Sequence, residues 1–253
     1  MTEIPPAFLE ISGEMRAAHS RLLSALAQHG YTVPPYPTER PQGRPDGQAA
    51  ALAYPIQGIL KYHGMSDWAA RIAYLPSISV NNDAAYTVTL VSFQPALRND
   101  RLLLNGESVA GRPLQRVSAM LDAVRAYAGI SSAATVESRN VVRASRTGKG
   151  LGTSASASAA LAMAALTAAL GPEAVANTRF LSCMARLLAG SGCRSATGGV
   201  SLWLSYPGAA HEDSFALRLD DRGELRDLAL LTVPLDSRIG LNTEQAHRDA
   251  PHS

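Results

Sequence analysis

The chain has 253 residues, of which 46% are hydrophobic and 17% charged, and its formal net charge is +2. This composition is typical of a soluble globular protein, and the near-neutral charge argues against nucleic acid or a membrane as a partner. Two cysteines, Cys183 and Cys193, are too few for a disulfide framework and lack metal-ligand spacing. Because the N-terminus shows no basic start followed by an apolar core, we expect a cytoplasmic protein with reduced thiols.

The first 48 residues predict an extension that precedes the compact domain. Apolar residues recur at helical spacing over 7–29, which predicts an amphipathic helix ending at Gly30. Five prolines and two glycines between 32 and 47 indicate a linker or an extended arm. We therefore divide the chain into a helical appendage (1–30), a linker (31–48), a main domain (49–236) and the beginning of a further domain (237–253).

Strands and helices then follow one another without strict βαβ alternation. Strands are predicted at 77–93, at 101–109 around an Asn-Gly turn, and at 134–144, 199–206, 214–219 and 227–233. Helices are predicted from Pro113 to Gly129, from the glycine-rich loop to about Leu170, and at 177–189. This order favours a two-layer α+β domain over a doubly wound sheet.

The segment Arg146–Ala160, RTGKGLGTSASASAA, has the composition of a phosphate cradle. Its three glycines let backbone approach a ligand closely, and the helix that follows directs free N–H groups at the loop. The pattern matches neither a Walker A loop nor a Rossmann fingerprint. From these residues alone, a phosphate cradle and a flexible cap on a buried alanine helix are both open.

Five segments together carry a family resemblance. The run G-L-G-T-S-A-S-A, beginning at Gly150, resembles the loop of GHMP kinases that wraps the phosphates of ATP. Residues 59–64 (ILKYHG), 77–80 (SISV), 100–106 (DRLLLNG) and 190–199 (GSGCRSATGG) resemble motifs of the mevalonate-diphosphate decarboxylases, in the same order. The resemblance covers roughly 52–250 and identifies the chain as similar to that branch of the GHMP superfamily.

The resemblance implies a GHMP-kinase-type N-terminal domain, an α+β fold also found in a ribosomal protein domain. It implies an enzyme that uses ATP and Mg²⁺ to phosphorylate a tertiary alcohol of mevalonate 5-phosphate or 5-diphosphate, then releases phosphate and carbon dioxide. Arg194 would hold the substrate carboxylate, Lys61 would lie beside the reacting hydroxyl, and Tyr62 and Ser191 would bind substrate. The residues implied in ATP binding are Lys149, Gly150, Leu151, Gly152, Thr153, Ser154 and Ser156.

The departures from the family pattern concern the substrate. Met65 stands where the family has a second lysine, which favours a substrate with one phosphate over two. Ala189 replaces a substrate-side serine, and the family's catalytic aspartate belongs to a C-terminal half that would begin at the end of this sequence. We therefore expect this chain alone to lack the general base of the reaction. Two alternatives stay open: a GHMP kinase that does not decarboxylate, and a non-catalytic nucleotide-binding subunit. A homodimer is common among relatives and is expected here.

Overall fold

The computed structural model describes residues 4, 6–143, 151–220 and the single positions 227, 229, 231, 247 and 248. Its helices are α1 (Pro6–Gln28), α2 (Arg112–Ala128), α3 (Thr153–Leu170), α4 (Thr178–Arg186) and α5 (Gly192–Thr197). Its strands are β1 (Gln48–Ala53), β2 (Ile56–Leu60), β3 (Met65–Asp67), β4 (Ile72–Ala73), β5 (Ser77–Asn81), β6 (Ala85–Gln94), β7 (Arg101–Leu104), β8 (Glu107–Val109), β9 (Ala133–Val142), β10 (Val200–Trp203) and β11 (Ala216–Arg218). The predicted α+β class is confirmed.

The larger sheet has the strand order β1-β6-β9-β7-β8, and only the β7–β9 pair within it is parallel. Val91 and Val136 lie opposite each other in the β6–β9 register and face the main core with α2 and α3. Asn105 and Gly106 join β7 to β8 with positive φ angles of 54° and 88°, as their Asn-Gly signal predicts. The strand–turn–strand prediction over 101–109 is therefore confirmed.

A second, antiparallel sheet has the order β11-β10-β5-β2, and β3 and β4 form a separate hairpin beside it. The predicted β-rich segment 77–93 is divided between the two sheets, because β5 belongs to the smaller and β6 to the larger. Since both parts show the same period-two pattern, the sequence signal did not reveal this change of sheet. The hairpin and its turn carry Met65, Trp68 and Arg71, which line a cavity described below.

Helix α1 packs on the smaller sheet instead of standing apart as an appendage. The helix has no fully buried residue, but Leu22, Leu23 and Leu26 lie against the apolar cluster that contains Leu202 and Phe215. Phe8 also stacks on Tyr74 with 4.4 Å between ring centroids. An amphipathic helix next to an apolar sheet face gains stability by covering it, so packing is the expected outcome for this sequence.

The segment between α1 and β1 is extended, as predicted, but it is fastened to the main domain. The backbone N–H of Gly43 donates to the carbonyl of Ala128 at 2.7 Å, and that of Arg44 donates to Ala169 at 2.7 Å. These carbonyls lie at the C-terminal ends of α2 and α3. The arm therefore connects two core helices and does not act as a free linker.

Helix α3 is the central helix of the main core. Among the described residues it is the one helix long and apolar enough to cross a membrane, but 67% of it is buried within the domain. Its alanines let it approach β1 and β6 closely. The helices predicted at 113–129 and 177–189 correspond to α2 and α4, whereas the short helix α5 was not predicted. The strand predicted at 227–233 and the segment 237–253 lie outside the described residues, apart from isolated positions.

Candidate functional site

The glycine-rich loop meets α3 at Gly152. This residue has φ 76°, and a Cβ there would overlap the carbonyl oxygen of Ile56 on β2. Glycine is therefore required both by the left-handed backbone and by the close strand. In the described part of the chain no side chain caps the N-terminus of α3, so its first N–H groups are suited to an anion. Lys149 and Gly150, predicted to bind ATP, lie outside the described residues.

The remaining predicted ATP residues occupy different environments. Ser154 is exposed and lines two cavities, and Thr153 beside it is half-buried. Leu151 is buried, so its side chain packs in the protein interior. Ser156 is fully buried, and its hydroxyl lies 2.7 Å from that of Thr87. Because Ser156 faces the larger sheet and lines neither cavity, its position does not support the predicted contact with ATP.

An apolar cavity of about 200 Å³ lies beside the first turn of α3. Leu102 and Leu104 from β7, Val117 from α2 and Val136 from β9 supply much of its lining. Ser154 also lines this cavity. A flat, largely apolar group next to an anion-binding helix terminus would fit such a cavity.

A polar cavity of about 330 Å³ adjoins the apolar one. Its lining residues are Tyr62, Met65, Trp68, Arg71, Arg116, Ser154, Ala189, Gly190, Ser191 and His247. Arg116, Ser154 and Ala189 line both cavities. None of the described lining residues is acidic, so the cavity is suited to an anionic ligand.

The structure brings Tyr62 and Ser191 together in the wall of the polar cavity. The phenol oxygen of Tyr62 accepts a hydrogen bond from the backbone of Ser191, and burial raises the pKa of Tyr62 to about 12. A Cβ at Gly190 would lie 3.2 Å from the same oxygen, so the glycine leaves room for it. Tyr62 is therefore a neutral hydroxyl at neutral pH, able to donate to a ligand.

Arg194 is a buried cation directly adjacent to that wall. It is 3% exposed, and its guanidinium lies 5.4 Å from the ring centroid of Tyr62 and 5.9 Å from that of Trp203. Its Nε and Nη1 atoms are buried and have no hydrogen-bond partner among the described residues. Burial lowers the pKa of Arg194, and no carboxylate of the described residues opposes that effect. Orphaned donors on a buried charge favour an incoming carboxylate or phosphate.

Lys61 is not brought to the polar cavity. Its side chain is exposed and turns back over the backbone of Gly58, with Cγ 3.1 Å from the position of a Cβ there. Because neighbouring side chains on an extended segment point to opposite sides, Lys61 faces away while Tyr62 faces in. The catalytic role predicted for Lys61 has no support from this position.

Four lining residues were not identified from the sequence: Trp68, Arg71, Arg116 and His247. His247 stacks on Tyr62 with 4.6 Å between ring centroids. Burial lowers its pKa, as do the nearby His63 and Arg194. A cation in the short β3–β4 connection was the one available signal for Arg71. Arg116 lies on an amphipathic helix, and the helical pattern predicts only that its polar residues are exposed.

No group of three or more His, Cys, Asp or Glu in the described part of the chain could hold a metal ion. A magnesium ion bound with ATP would therefore depend on phosphate oxygens and a hydroxyl such as Ser154 or Thr153. Both cysteines are buried and free, as expected, and burial raises the pKa of Cys193 to about 12.

The α+β fold is that of a GHMP-type N-terminal domain. The model of the diphosphomevalonate decarboxylase-like N-terminal domain matches residues 53–216, and the chain belongs to this family. The phosphomevalonate decarboxylase of Haloferax volcanii is 36% identical over 210 residues, which are 81% of this chain and 60% of that protein. The chain thus spans less than two thirds of that relative's length.

Solved structures give the same assignment. The mevalonate diphosphate decarboxylase of Staphylococcus aureus has a TM-score of 0.63 and 34% identity, over 76% of this chain and 58% of that one. A structure of the enzyme from Enterococcus faecalis, described for mevalonate diphosphate-mediated ATP binding, has a TM-score of 0.60 and 35% identity. It covers 68% of this chain and 51% of the other. The resemblance stated from sequence motifs is confirmed.

Proposed function

We propose that this chain provides the ATP-binding and carboxylate-binding parts of an ATP-dependent decarboxylase acting on a phosphorylated mevalonate. The observation that carries this proposal is Arg194, a buried guanidinium with orphaned Nε and Nη1 atoms beside Tyr62. A decarboxylase must hold a carboxylate in place until it leaves as carbon dioxide, and a planar guanidinium can bind it by two parallel hydrogen bonds. A simple alcohol kinase has no such requirement.

The residues at the start of α3 fit ATP. Gly152 allows close backbone approach, the uncapped helix terminus favours phosphate, and Ser154 supplies a hydroxyl at the same place. The apolar cavity lined by Leu102 and Leu104 would receive the base. Magnesium bound to the phosphates would neutralise charge during phosphoryl transfer.

The two cavities assign separate tasks to the chain's own residues. ATP would lie in the apolar cavity with its phosphates at Ser154, and the mevalonate would lie in the polar cavity against Tyr62 and Ser191. Phosphorylating the tertiary hydroxyl makes it a leaving group. Arg194 would then keep the carboxylate oriented, so that the C–C bond electrons form the alkene as carbon dioxide and phosphate depart.

The test is carbon dioxide release with Mg-ATP, comparing mevalonate 5-phosphate with mevalonate 5-diphosphate. Release supports the proposal, and a preference for the monophosphate agrees with Met65 at the position of the family's second lysine. A stable phosphorylated product without carbon dioxide would favour the kinase alternative. ATP binding with no conversion of either mevalonate would favour the non-catalytic nucleotide-binding subunit.

A further inference from the structure

The polar cavity contains a cation with no assigned role. Arg71 lines this cavity but not the apolar one, whereas Arg116 lines both and donates a hydrogen bond to the carbonyl of Leu188. Arg116 therefore lies at the junction with the ATP cavity, and Arg71 belongs to the substrate cavity alone. Met65, in the same wall, contributes no charge.

Arg71 has an unusual backbone conformation. Its φ of 56° places it in the left-handed region, which non-glycine residues rarely adopt. Strain of this kind persists where surrounding contacts hold it, and it is concentrated at functional sites. The Arg71 guanidinium also lies over the ring of Trp68, at 5.5 Å from the ring centroid, and Trp68 lines the cavity too.

The β3–β4 hairpin that carries Arg71 is held rigidly. The hydroxyl of Ser205 accepts from the N–H of Ala73 at 3.0 Å and donates to the carbonyl of the same residue at 2.9 Å. Asp67 accepts from the N–H of Ala70 at 2.8 Å, within the turn itself. The hairpin cannot move as a loose loop while these bonds are made.

A second buried arginine fixes the residue before Arg71. Arg186, on α4, is fully buried, and its Nε donates to the carbonyl of Ala70 at 2.8 Å. Its Nη2 lies 3.0 Å from Nδ1 of His211. Burying a guanidinium has an unfavourable free energy. The hydrogen bond from Arg186 to Ala70 holds the backbone next to Arg71 in place.

We propose that Arg71 binds the phosphate at the 5-position of the substrate and makes this cavity specific for a phosphorylated mevalonate. The inference rests on the proposed function. The chemistry recognised is a phosphate monoester dianion, held by a preorganised guanidinium fork. With Met65 supplying no second charge, Arg71 is the one cation within the described lining that serves this cavity alone.

The test uses Arg71→Asn, since asparagine tolerates positive φ and removes the charge. Calorimetric titration of the full chain would compare its affinity for mevalonate with its affinity for mevalonate 5-phosphate. We expect affinity for mevalonate 5-phosphate to fall by about 10-fold or more, with affinity for mevalonate unchanged and Tm unchanged or raised. Arg71→Lys should weaken binding less, and Arg98→Met, an exposed arginine outside both cavities, should change nothing.

Equal weakening for mevalonate and mevalonate 5-phosphate, or no weakening for either, would overturn the role of Arg71. If the unsubstituted chain binds neither compound, the proposed function fails separately, and titration with inorganic phosphate then decides the inference. Phosphate binding that Arg71→Asn abolishes would keep Arg71 as an anion site. Phosphate binding that is equal in both proteins would refute it.

Discussion

Arg194 should favour binding of the substrate carboxylate but lower the stability of the native protein. The residue is 3% exposed, and two of its nitrogen atoms have no hydrogen-bond partner among the described residues, so the native protein bears the cost of a desolvated charge. The surrounding rings of Tyr62 and Trp203 offset part of that cost through cation–π contact. A bound carboxylate would offset more of it.

Replacing Arg194 with Met should therefore abolish substrate binding without unfolding the protein. Methionine has a similar length and packs well on aromatic rings, and replacing buried charge by an apolar isostere is neutral or stabilising by about 1–4 kcal/mol. We expect a Tm equal to or above that of the unsubstituted chain and no measurable titration with mevalonate 5-phosphate. Unchanged binding in a folded Arg194→Met protein would remove the main support for the decarboxylase proposal.

Substitutions at Gly152 and Gly106 can separate the cost of a steric clash from the cost of backbone strain. Gly152→Ala places a Cβ against the Ile56 carbonyl oxygen, at a residue with φ 76°. Gly106→Ala is the matched control, because Gly106 has φ 88° but nothing within 4 Å of its Cβ. We expect Gly106→Ala to cost about 1 kcal/mol from strain alone and Gly152→Ala to cost more.

The two glycine variants should also differ in ATP binding. Displacement of Gly152 would move the N-terminus of α3 and weaken ATP binding, whereas Gly106 lies in the β7–β8 turn. Urea unfolding gives the stabilities, and titration with Mg-ATP gives the affinities. Equal stability losses in both variants, with ATP affinity intact, would show that contact with Ile56 does not position the loop.

At the scale of elements, Arg186 connects α4, the β3–β4 hairpin and the turn at His211–Asp213. Its contacts with the Ala70 carbonyl and His211 Nδ1 require a neutral imidazole that accepts a hydrogen bond. Burial and the adjacent Arg186 charge lower the pKa of His211 to about 4. Protonating His211 would place two cations in contact within the protein.

Stability should consequently fall as the pH drops from about 6.5 to about 4. In that window the unfolded chain binds the His211 proton and the native chain does not, so acid favours unfolding. Above pH 6.5 the contribution of His211 to the free energy of unfolding is fully present. Its loss at low pH amounts to no more than about 3 kcal/mol. His211→Asn keeps an acceptor but cannot be protonated, so urea unfolding at pH 7 and pH 5 should show a smaller decrease for it. An identical decrease would place the acid sensitivity elsewhere.

The sequence predicted the elements better than it predicted their contacts. The period of α2 and the Asn-Gly turn are local signals, and each was confirmed as a structural feature. The glycine-rich segment is described only from Leu151 onward, where it leads into α3. The docking of α1 and the division of 77–93 between two sheets depend on tertiary packing, which local periodicity does not report.

At the scale of the whole molecule, the same limit explains which site residues were identified. Tyr62, Ser191 and Arg194 were predicted as site residues because they belong to motifs that resemble a family pattern. Arg71 and Arg116 come to one cavity from a hairpin and a helix far apart in the sequence. No local pattern brings those two residues together, so only the fold reveals them.

Ala189 occupies the boundary between the two cavities, and this makes the whole site testable with one substitution. It lines both cavities, together with Arg116 and Ser154. If ATP and the mevalonate bind side by side for direct phosphoryl transfer, a larger side chain here should obstruct both. We expect Ala189→Leu to weaken Mg-ATP and mevalonate 5-phosphate binding by about 10-fold or more each, which is about 1.4 kcal/mol.

The controls for Ala189→Leu each address one cavity. Leu104→Trp enlarges a residue that lines only the apolar cavity, so it should weaken ATP binding alone. Ser191→Val enlarges a residue that lines only the polar cavity, so it should weaken mevalonate 5-phosphate binding alone. Weakening of a single ligand by Ala189→Leu would mean that the cavities are independent sites. Phosphoryl transfer between them would then require a rearrangement, because the reacting groups must come within about 3–3.5 Å.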